Sequence, residues 1–272
     1  MSTLSNFRHS HAWLKNAGVG REYFAPSTTR GDARIFPEGK LPRNFDETRM
    51  VKLKRKEILD ESLAWQSRTA EAYRQKPFIA QAASDGITFL VGEGNLSFTR
   101  SLVEDHLVDP QLLIASTHES FSELSDEALE NVNFLLASGV ETLFDVDATN
   151  LAKHIGTLKF HNIVFQFPNA GSREPKYGHN PNYILLRKFL KDAKAHIDKT
   201  GRVLVSTVDN AYYDGRFRID DAIKYAELET PVAVPFSPDD YPSYNHVNTV
   251  EGEESALSRY KKFSTWVFED RL

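Results

Sequence analysis

The sequence predicts an α/β protein with a mostly parallel sheet, helices on both faces and an antiparallel edge near the C-terminus. Three observations carry this. From about residue 81 to 228, short apolar runs alternate with helical periodicity through brief connections, the pattern of a parallel sheet covered on both faces. The first run, Ile87–Val91, leads straight into Gly92-Glu93-Gly94-Asn95, and a new apolar-periodic segment begins near Ser97, giving strand, tight turn and helix in order. Beyond 228 the alternation stops, and Val232–Val234 and Phe263–Phe268 read as two strands separated by a polar loop.

Taken in order, residues 1–80 form a basic N-terminal extension and residues 81–272 the main domain. Gly and Pro punctuate residues 1–45, leaving room for one short helix around His11–Ala17. From Asp46 to about Gln75 the spacing of Leu53, Ile58, Leu59, Leu63, Ala64 and Ala70 predicts a long amphipathic helix. Lys52, Lys54, Arg55 and Lys56 cluster at its start, as a solvated face or a phosphate contact. Residues 76–86 read as a linker. A helix over Ser97–Asp105 is followed by a buried strand, Leu112–Ser116. Ser122 or Ser125 caps a helix that runs to Ser138, and Gly139 ends it. Val140–Phe144 is the third strand, Asn150–Ile155 a short helix, and His161–Phe167 the fourth strand. Asn182–Ile197 reads as a helix with Gly201 after it, Arg202–Thr207 as the fifth strand and Arg218–Glu227 as a further helix.

Composition narrows the function classes. The 272 residues are 40% hydrophobic and 26% charged, ordinary for a globular chain long enough to bury a substantial core. There is no cysteine, which excludes disulfides, thiolate metal sites and cysteine nucleophiles. No apolar run approaches the roughly 20 residues of a membrane helix, and residues 1–10 carry no signal-peptide pattern. A cytoplasmic protein is the expectation. Residues 1–56 hold 12 Lys/Arg against 5 Asp/Glu, a local +7 that leaves −12 on the rest of a chain whose net charge is −5. A basic arm on an acidic body either touches phosphates or packs on its own body.

Ligands of open α/β sheets sit beyond the carboxyl ends of the strands, at the switch point, so the strand ends belong together. Gly92 and Gly94 let the backbone turn and a ligand come close. Asn95 or Ser97 can cap the following helix, whose first N–H groups lack internal partners. The third glycine of a dinucleotide fingerprint would fall at Ser97, and Glu93 would repel a pyrophosphate but suits a cationic cofactor such as S-adenosyl-L-methionine (SAM). Glu119, after strand two, can accept both ribose hydroxyl protons. Asp147 can accept from an adenine amino group or cap a helix, and Ala148 and Thr149 follow it. In Phe165-Gln166-Phe167-Pro168-Asn169-Ala170-Gly171, Phe167 offers a flat face and Asn169 an amide, a combination that holds a planar base or simply turns the chain. No metal-ligand spacing, P-loop or serine elbow is present.

Four segments occur in the order of a known family. Val91-Gly-Glu-Gly-Asn-Leu-Ser-Phe98, Asp145-Val-Asp-Ala-Thr149, Ile163-Val-Phe-Gln-Phe-Pro-Asn-Ala-Gly171 and Asn182-Tyr-Ile-Leu-Leu-Arg187 resemble the ribosomal-RNA (uridine-N3)-methyltransferase-like family. Asp240-Tyr-Pro-Ser-Tyr-Asn-His246 resembles its closing motif. The resemblance covers about residues 85–268 and implies a Rossmann-like class I, SAM-dependent methyltransferase. It implies Gly92, Glu93, Gly94, Asn95 and Ser97 around the methionine end of SAM, Glu119 at the ribose, Asp147 and Ala148 at the adenine, and Phe167, Pro168 and Asn169 facing the acceptor. Where the family has Asn-Phe-Pro-His this chain has Gln166-Phe-Pro-Asn169, and Val247-Asn-Thr-Val-Glu251 replaces the basic residues that follow the closing motif.

The reaction expected is N-methylation of a ring nitrogen in a small heterocycle or nucleotide. The alternatives are a ribosomal RNA uridine and, in another class, a non-catalytic SAM-binding scaffold. Asp209, Asp147 and His179 are the candidates for removing an imide proton. No metal is expected.

Overall fold

A computed structural model of the chain describes residues 76–172, 174–247 and 255–270. The long helix, basic cluster and irregular stretch expected over residues 1–75 lie outside the described residues. The elements are α1 (Phe78–Asp85), β1 (Thr88–Leu90), α2 (Ser97–Glu104), β2 (Leu113–Ser116), α3 (Asp126–Ser138), β3 (Glu141–Leu143), α4 (Ala152–Ile155) and β4 (Phe160–Gln166). They continue with α5 (Pro181–Lys194), β5 (Ile197–Val208), α6 (Ala211–Phe217), α7 (Ile219–Ala226), β6 (Val232–Phe236), α8 (Ala256–Arg259) and β7 (Phe263–Glu269).

One seven-stranded sheet runs in the order β3-β2-β1-β4-β5-β7-β6. The pairs from β3 to β5 are parallel, while β7 runs antiparallel between β5 and β6. The chain winds outward from β1 to β3 and then reverses at β4, so the switch point lies between β1 and β4. This is the mostly parallel, Rossmann-like arrangement expected, with its antiparallel edge.

Apolar periodicity fixes which face each helix covers. Ile79, Ala82 and Ala83 of α1, Phe98 and Leu102 of α2, and Ala128, Val132 and Leu135 of α3 share one core with Leu90, Ala115, Val164 and Leu204 of the strands. On the opposite face Phe165 of β4 meets Phe189 of α5, ring centroids 5.0 Å apart. Ser125 Oγ caps α3 by accepting from Ala128 N at 3.2 Å, and Gly139 (φ 93°) ends it.

Three expectations about elements need correction. Residues 76–86 are not a linker, because Pro77 and Gly86 punctuate two full turns, α1, that bury Ile79, Ala80, Ala82 and Ala83. The expected domain start, residue 81, therefore falls inside a helix packed on the sheet. Gly201 does not follow a helix. It lies inside β5, where Ile197 pairs with Phe160 and the register shifts before Asn162 meets Arg202. A Cβ on Gly201 would lie 2.9 Å from Phe160 O, so the bulge requires glycine. The third is α6, which the sequence reading left without an element.

Candidate active site at the switch point

The glycine loop threads between its neighbours. Val91 N donates to Val164 O of β4 at 2.8 Å, and Glu93 N donates to Ser116 O at the end of β2 at 2.9 Å. Gly92 takes φ +66°, and a Cβ there would fall 2.7 Å from Phe165 Cε2, so both backbone and space require glycine. A Cβ on Gly94 would meet Val247 Cγ2 at 2.6 Å.

Leu96 is the N-cap residue of α2, and the side chain of Asn95 before it serves the first helical N–H. Its Oδ1 accepts from Ser97 N (3.2 Å) and Ser97 Oγ (2.7 Å), while its Nδ2 donates to Asn245 O (2.8 Å) and Glu127 Oε1 (3.2 Å). Its side chain is thus spent on holding the loop. Glu93 turns back onto α2, where its carboxylate accepts from Thr99 N (3.3 Å) and Thr99 Oγ1 (2.8 Å). Burial pushes this carboxyl up to about 7, against the pull of the Thr99 hydrogen bonds.

The ends of β2 and β3 are laced together. Thr117 N donates to Leu143 O, Val146 N to Thr117 O and Asp145 N to Glu119 O, at 3.0–3.1 Å. Glu119 is exposed, and its carboxylate has no partner among the described residues. Asp147 Oδ1 accepts from Thr149 N and Thr149 Oγ1, both at 2.8 Å. Burial raises the Asp147 carboxyl, but these hydrogen bonds outweigh it and hold it below its ordinary value. Ala148 is buried beside it.

At the end of β4, Phe167 takes φ +46° and its N donates to Ser206 O at 3.0 Å. Its ring is edge-on to Phe236, Phe263 and His246, with centroids 5.3–5.6 Å apart. Pro168 is buried and Asn169 exposed, and Asn169 Oδ1 accepts from Gly171 N at 3.1 Å. Gln166 is 8% exposed, and neither side-chain polar atom has a hydrogen-bond partner among the described residues. Asp209, exposed just past β5, accepts from Ser264 Oγ at 3.4 Å. His179 stands further out, its ring 5.4 Å from that of Tyr183.

Three expected groups of residues therefore lie on one continuous rim: the glycine loop against β2 and β4, Glu119 against Asp145, and Phe167 beside β5. Left-handed residues mark it, with Leu96 (φ 62°), Asp145 (φ 59°) and Phe167 (φ 46°) each just past a strand. Such conformations cost about 1–2 kcal/mol apiece and cluster where loops are held for a task.

The closing segment completes the rim, and it was absent from the residues proposed on sequence grounds. Asp105 accepts from Ser243 N (2.8 Å) and Ser243 Oγ (2.9 Å), anchoring the segment to α2. Asn245 N donates to Ser97 Oγ at 3.0 Å, and Tyr244 lies 5.0 Å from Phe98. His246 packs on Phe167, its Nδ1 2.8 Å from Ser255 Oγ. Burial pulls this imidazole down to about 4, so it is neutral at pH 7. The signal was the Asp240–His246 motif itself, but nothing in its composition says where it folds back. Among the described residues no group of three or more His, Asp or Glu is placed to hold a metal ion, and no helix is long and apolar enough to cross a membrane.

Comparison with known proteins identifies a family model that matches the chain. A family model described as BMT5-like, rRNA (uridine-N3-)-methyltransferase, matches residues 89–248, more than half of the chain. Over 122 residues (43% of this chain) the sequence is 37% identical to the ferredoxin-fold anticodon-binding domain-containing protein 1 homolog of Mus musculus, covering 19% of that protein. Over 127 residues (43% of this chain) it is 30% identical to an uncharacterized protein of Arabidopsis thaliana, covering 60% of it. The matched stretch is thus less than two thirds of either relative's length. Among solved structures, NSun6 from Pyrococcus horikoshii is similar over 70% of this chain and 50% of its own, with a TM-score of 0.44 and 15% identity.

Proposed function

We propose that this chain, which belongs to the BMT5-like rRNA (uridine-N3-)-methyltransferase family and so to the SAM-dependent methyltransferases, transfers a methyl group from SAM to N3 of a uridine in RNA. The single observation that carries the reading is the convergence of four strand-end loops on the β1/β4 switch.

The residues fit the cofactor. Gly92 and Gly94 keep side chains out of the loop, the Glu119 carboxylate is open to accept from two ribose hydroxyls, and Asp147 keeps Oδ2 clear after Thr149 has taken Oδ1. Glu93, Asn95 and Ser97 hold the loop in shape from behind, and Ala148 offers an apolar edge to the adenine. SAM supplies a methyl carbon on a positively charged sulfur, already activated for transfer. The protein's part is alignment and the removal of one proton. Phe167, Pro168 and Asn169 form the acceptor edge, and Asp209, at the neighbouring strand end, takes the imide proton. A uridine within RNA must leave its stack to reach this edge.

A second reading, a small heterocyclic acceptor, is favoured by the net charge of −5 and by Asn169 standing in the place of the family's histidine. Calorimetric titration with SAM and transfer of labelled methyl to total RNA, with nucleosides separated, tests both. The expected result is SAM binding and label in 3-methyluridine. Label confined to small molecules would favour the second reading, and absence of SAM binding would end both.

A further inference from the structure

Among the described residues the exposed tyrosines are Tyr177, Tyr212 and Tyr225, at 84%, 57% and 41% exposure. Each has a cation over its ring. Lys176 Nζ lies 5.9 Å from the centroid of Tyr177, and Arg216 Cζ 4.5 Å from that of Tyr212. Arg187 Cζ and Lys191 Nζ lie 4.9 and 5.0 Å from that of Tyr225. One inner ring joins these pairs. Tyr183 has Arg187 at 5.0 Å and Arg218 at 5.1 Å, and the ring of His179 edge-on at 5.4 Å. Arg218 is paired with Asp221, but Arg187, Lys191 and Arg216 meet no carboxylate among the described residues. Arg187 Nε is buried there without an acceptor. Cations left without counter-charge mark a face that gains by taking up an anion. The local charge agrees: residues 173–226 hold 11 Lys/Arg against 7 Asp/Glu, a local +4 in a chain of −5.

Tyr177 is displayed on a built turn. Lys176 N donates to His179 O at 2.9 Å and His179 N to Lys176 O at 3.0 Å, with Tyr177 (φ 54°) and Gly178 (φ 74°) between them. Two positive φ values in a two-residue turn favour Asn-Gly, so a tyrosine in the first place is there for its ring and not for the turn. The face also borders the acceptor edge. Asn182 Oδ1, in the first turn of α5, accepts from Ala170 N at 2.8 Å, which ties Tyr183 and Arg187 to the segment Phe167–Asn169. The helix α6, which carries Tyr212 and Arg216, starts two residues past Asp209.

A guanidinium pairs with phosphate through two N–H groups, and an exposed tyrosine ring stacks on an unpaired base of any kind. A duplex hides its base faces, and an acidic peptide would use the cations but leave the rings idle. We infer that this face holds the single-stranded RNA flanking the target uridine, with bases on Tyr177 and Tyr212 and phosphates on Arg187, Lys191 and Arg216. This rests on the reaction proposed above and adds the surface that holds the acceptor strand.

Fluorescence anisotropy of the full chain with a labelled single-stranded RNA of about 15 nucleotides, over a series of salt concentrations, reads the surface. Titration with SAM and the melting temperature are measured beside it. Tyr177→Asn supplies the favoured turn pair and deletes the ring. Tyr212→Ala deletes the second ring, and Lys191→Glu combined with Arg216→Glu reverses two cations. Each tyrosine variant should weaken RNA binding at least about fivefold. The charge variant should weaken it at least about tenfold and flatten its salt dependence. All three should bind SAM within about twofold of wild type, and Tyr177→Asn should melt at or above the wild-type temperature. RNA affinity unchanged in the three variants, or a wild-type preference for duplex RNA or polyglutamate over the single strand, overturns the inference and leaves the proposed reaction in place. Loss of RNA binding as expected, in a chain that binds SAM but never labels uridine, supports the surface and overturns the proposed reaction instead.

Discussion

Replacing Glu93 by Gln tests whether the glycine loop is held by a buried, nearly neutral carboxyl. Burial moves the group from an ordinary 4.5 to about 7, with Thr99 N and Thr99 Oγ1 as its hydrogen-bond donors. The folded state therefore holds this proton more tightly than the unfolded state does. The stabilisation that follows is complete below about 4.5 and is lost as pH rises through about 7. Between pH 5 and pH 8 the loss amounts to roughly 2–3 kcal/mol. In Glu93→Gln the group is neutral throughout, and Gln can still accept from Thr99 N while its amide donates to Thr99 Oγ1. Urea unfolding of both proteins at half-unit steps of pH gives the difference in stability directly. That difference should shift in favour of the Gln variant by roughly 2–3 kcal/mol from pH 5 to pH 8, mostly between pH 5 and 7. A difference that stays flat to within about 0.5 kcal/mol would mean that Glu93 ionises as an ordinary carboxylate, and the packing of the closing segment over the loop would have to be looser than described.

Two other residues separate holding from binding. Asn95→Ala leaves Ser97 N without its side-chain acceptor and removes one of the two donors to Asn245 O, the other being Ser97 Oγ, so it should lower stability by about 2 kcal/mol in urea, with weaker SAM binding as a consequence. Glu119→Gln touches no internal hydrogen bond of its own carboxylate. It should leave the melting temperature unchanged and weaken SAM binding about tenfold in calorimetric titration; unchanged affinity would remove Glu119 from the ribose.

The sheet was legible because each strand from β1 to β5 is a short β-prone run bounded by glycine, proline or polar residues, and because helical spacing separates them. What escaped was the meaning of individual punctuation. Pro77 and Gly86 look alike as ends of a linker or of a two-turn helix, and only the burial of Ile79, Ala82 and Ala83 against the sheet decides it. Gly201 looks like a helix stop until β4 is alongside, when the bulge at Phe160 explains it. Long-range packing, not local propensity, made both choices.

The site divides along the same line. Gly92 was readable because a positive φ and a close approach to Phe165 demand a residue type that stands out in any sequence. The places of Glu119 and Asp147 beyond β2 and β3 were readable because the apolar runs before them mark where those strands end. Asn95 and Ser97 brace the loop at the start of α2, where they were expected as helix caps or cofactor contacts, and Phe167 packs edge-on among aromatic side chains. Their chemistry is the same in either role, so residue type alone does not separate them. Tyr244, Asn245 and His246 were hidden for a stronger reason. They lie 150 residues from the loop they cover, and the contact between Gly94 and Val247 depends on β7 folding back along β5 with β6 beside β7. The antiparallel edge of the sheet thus bears on the site: by returning the chain across the strand ends, it places the closing segment over the glycine loop and His246 against Phe167.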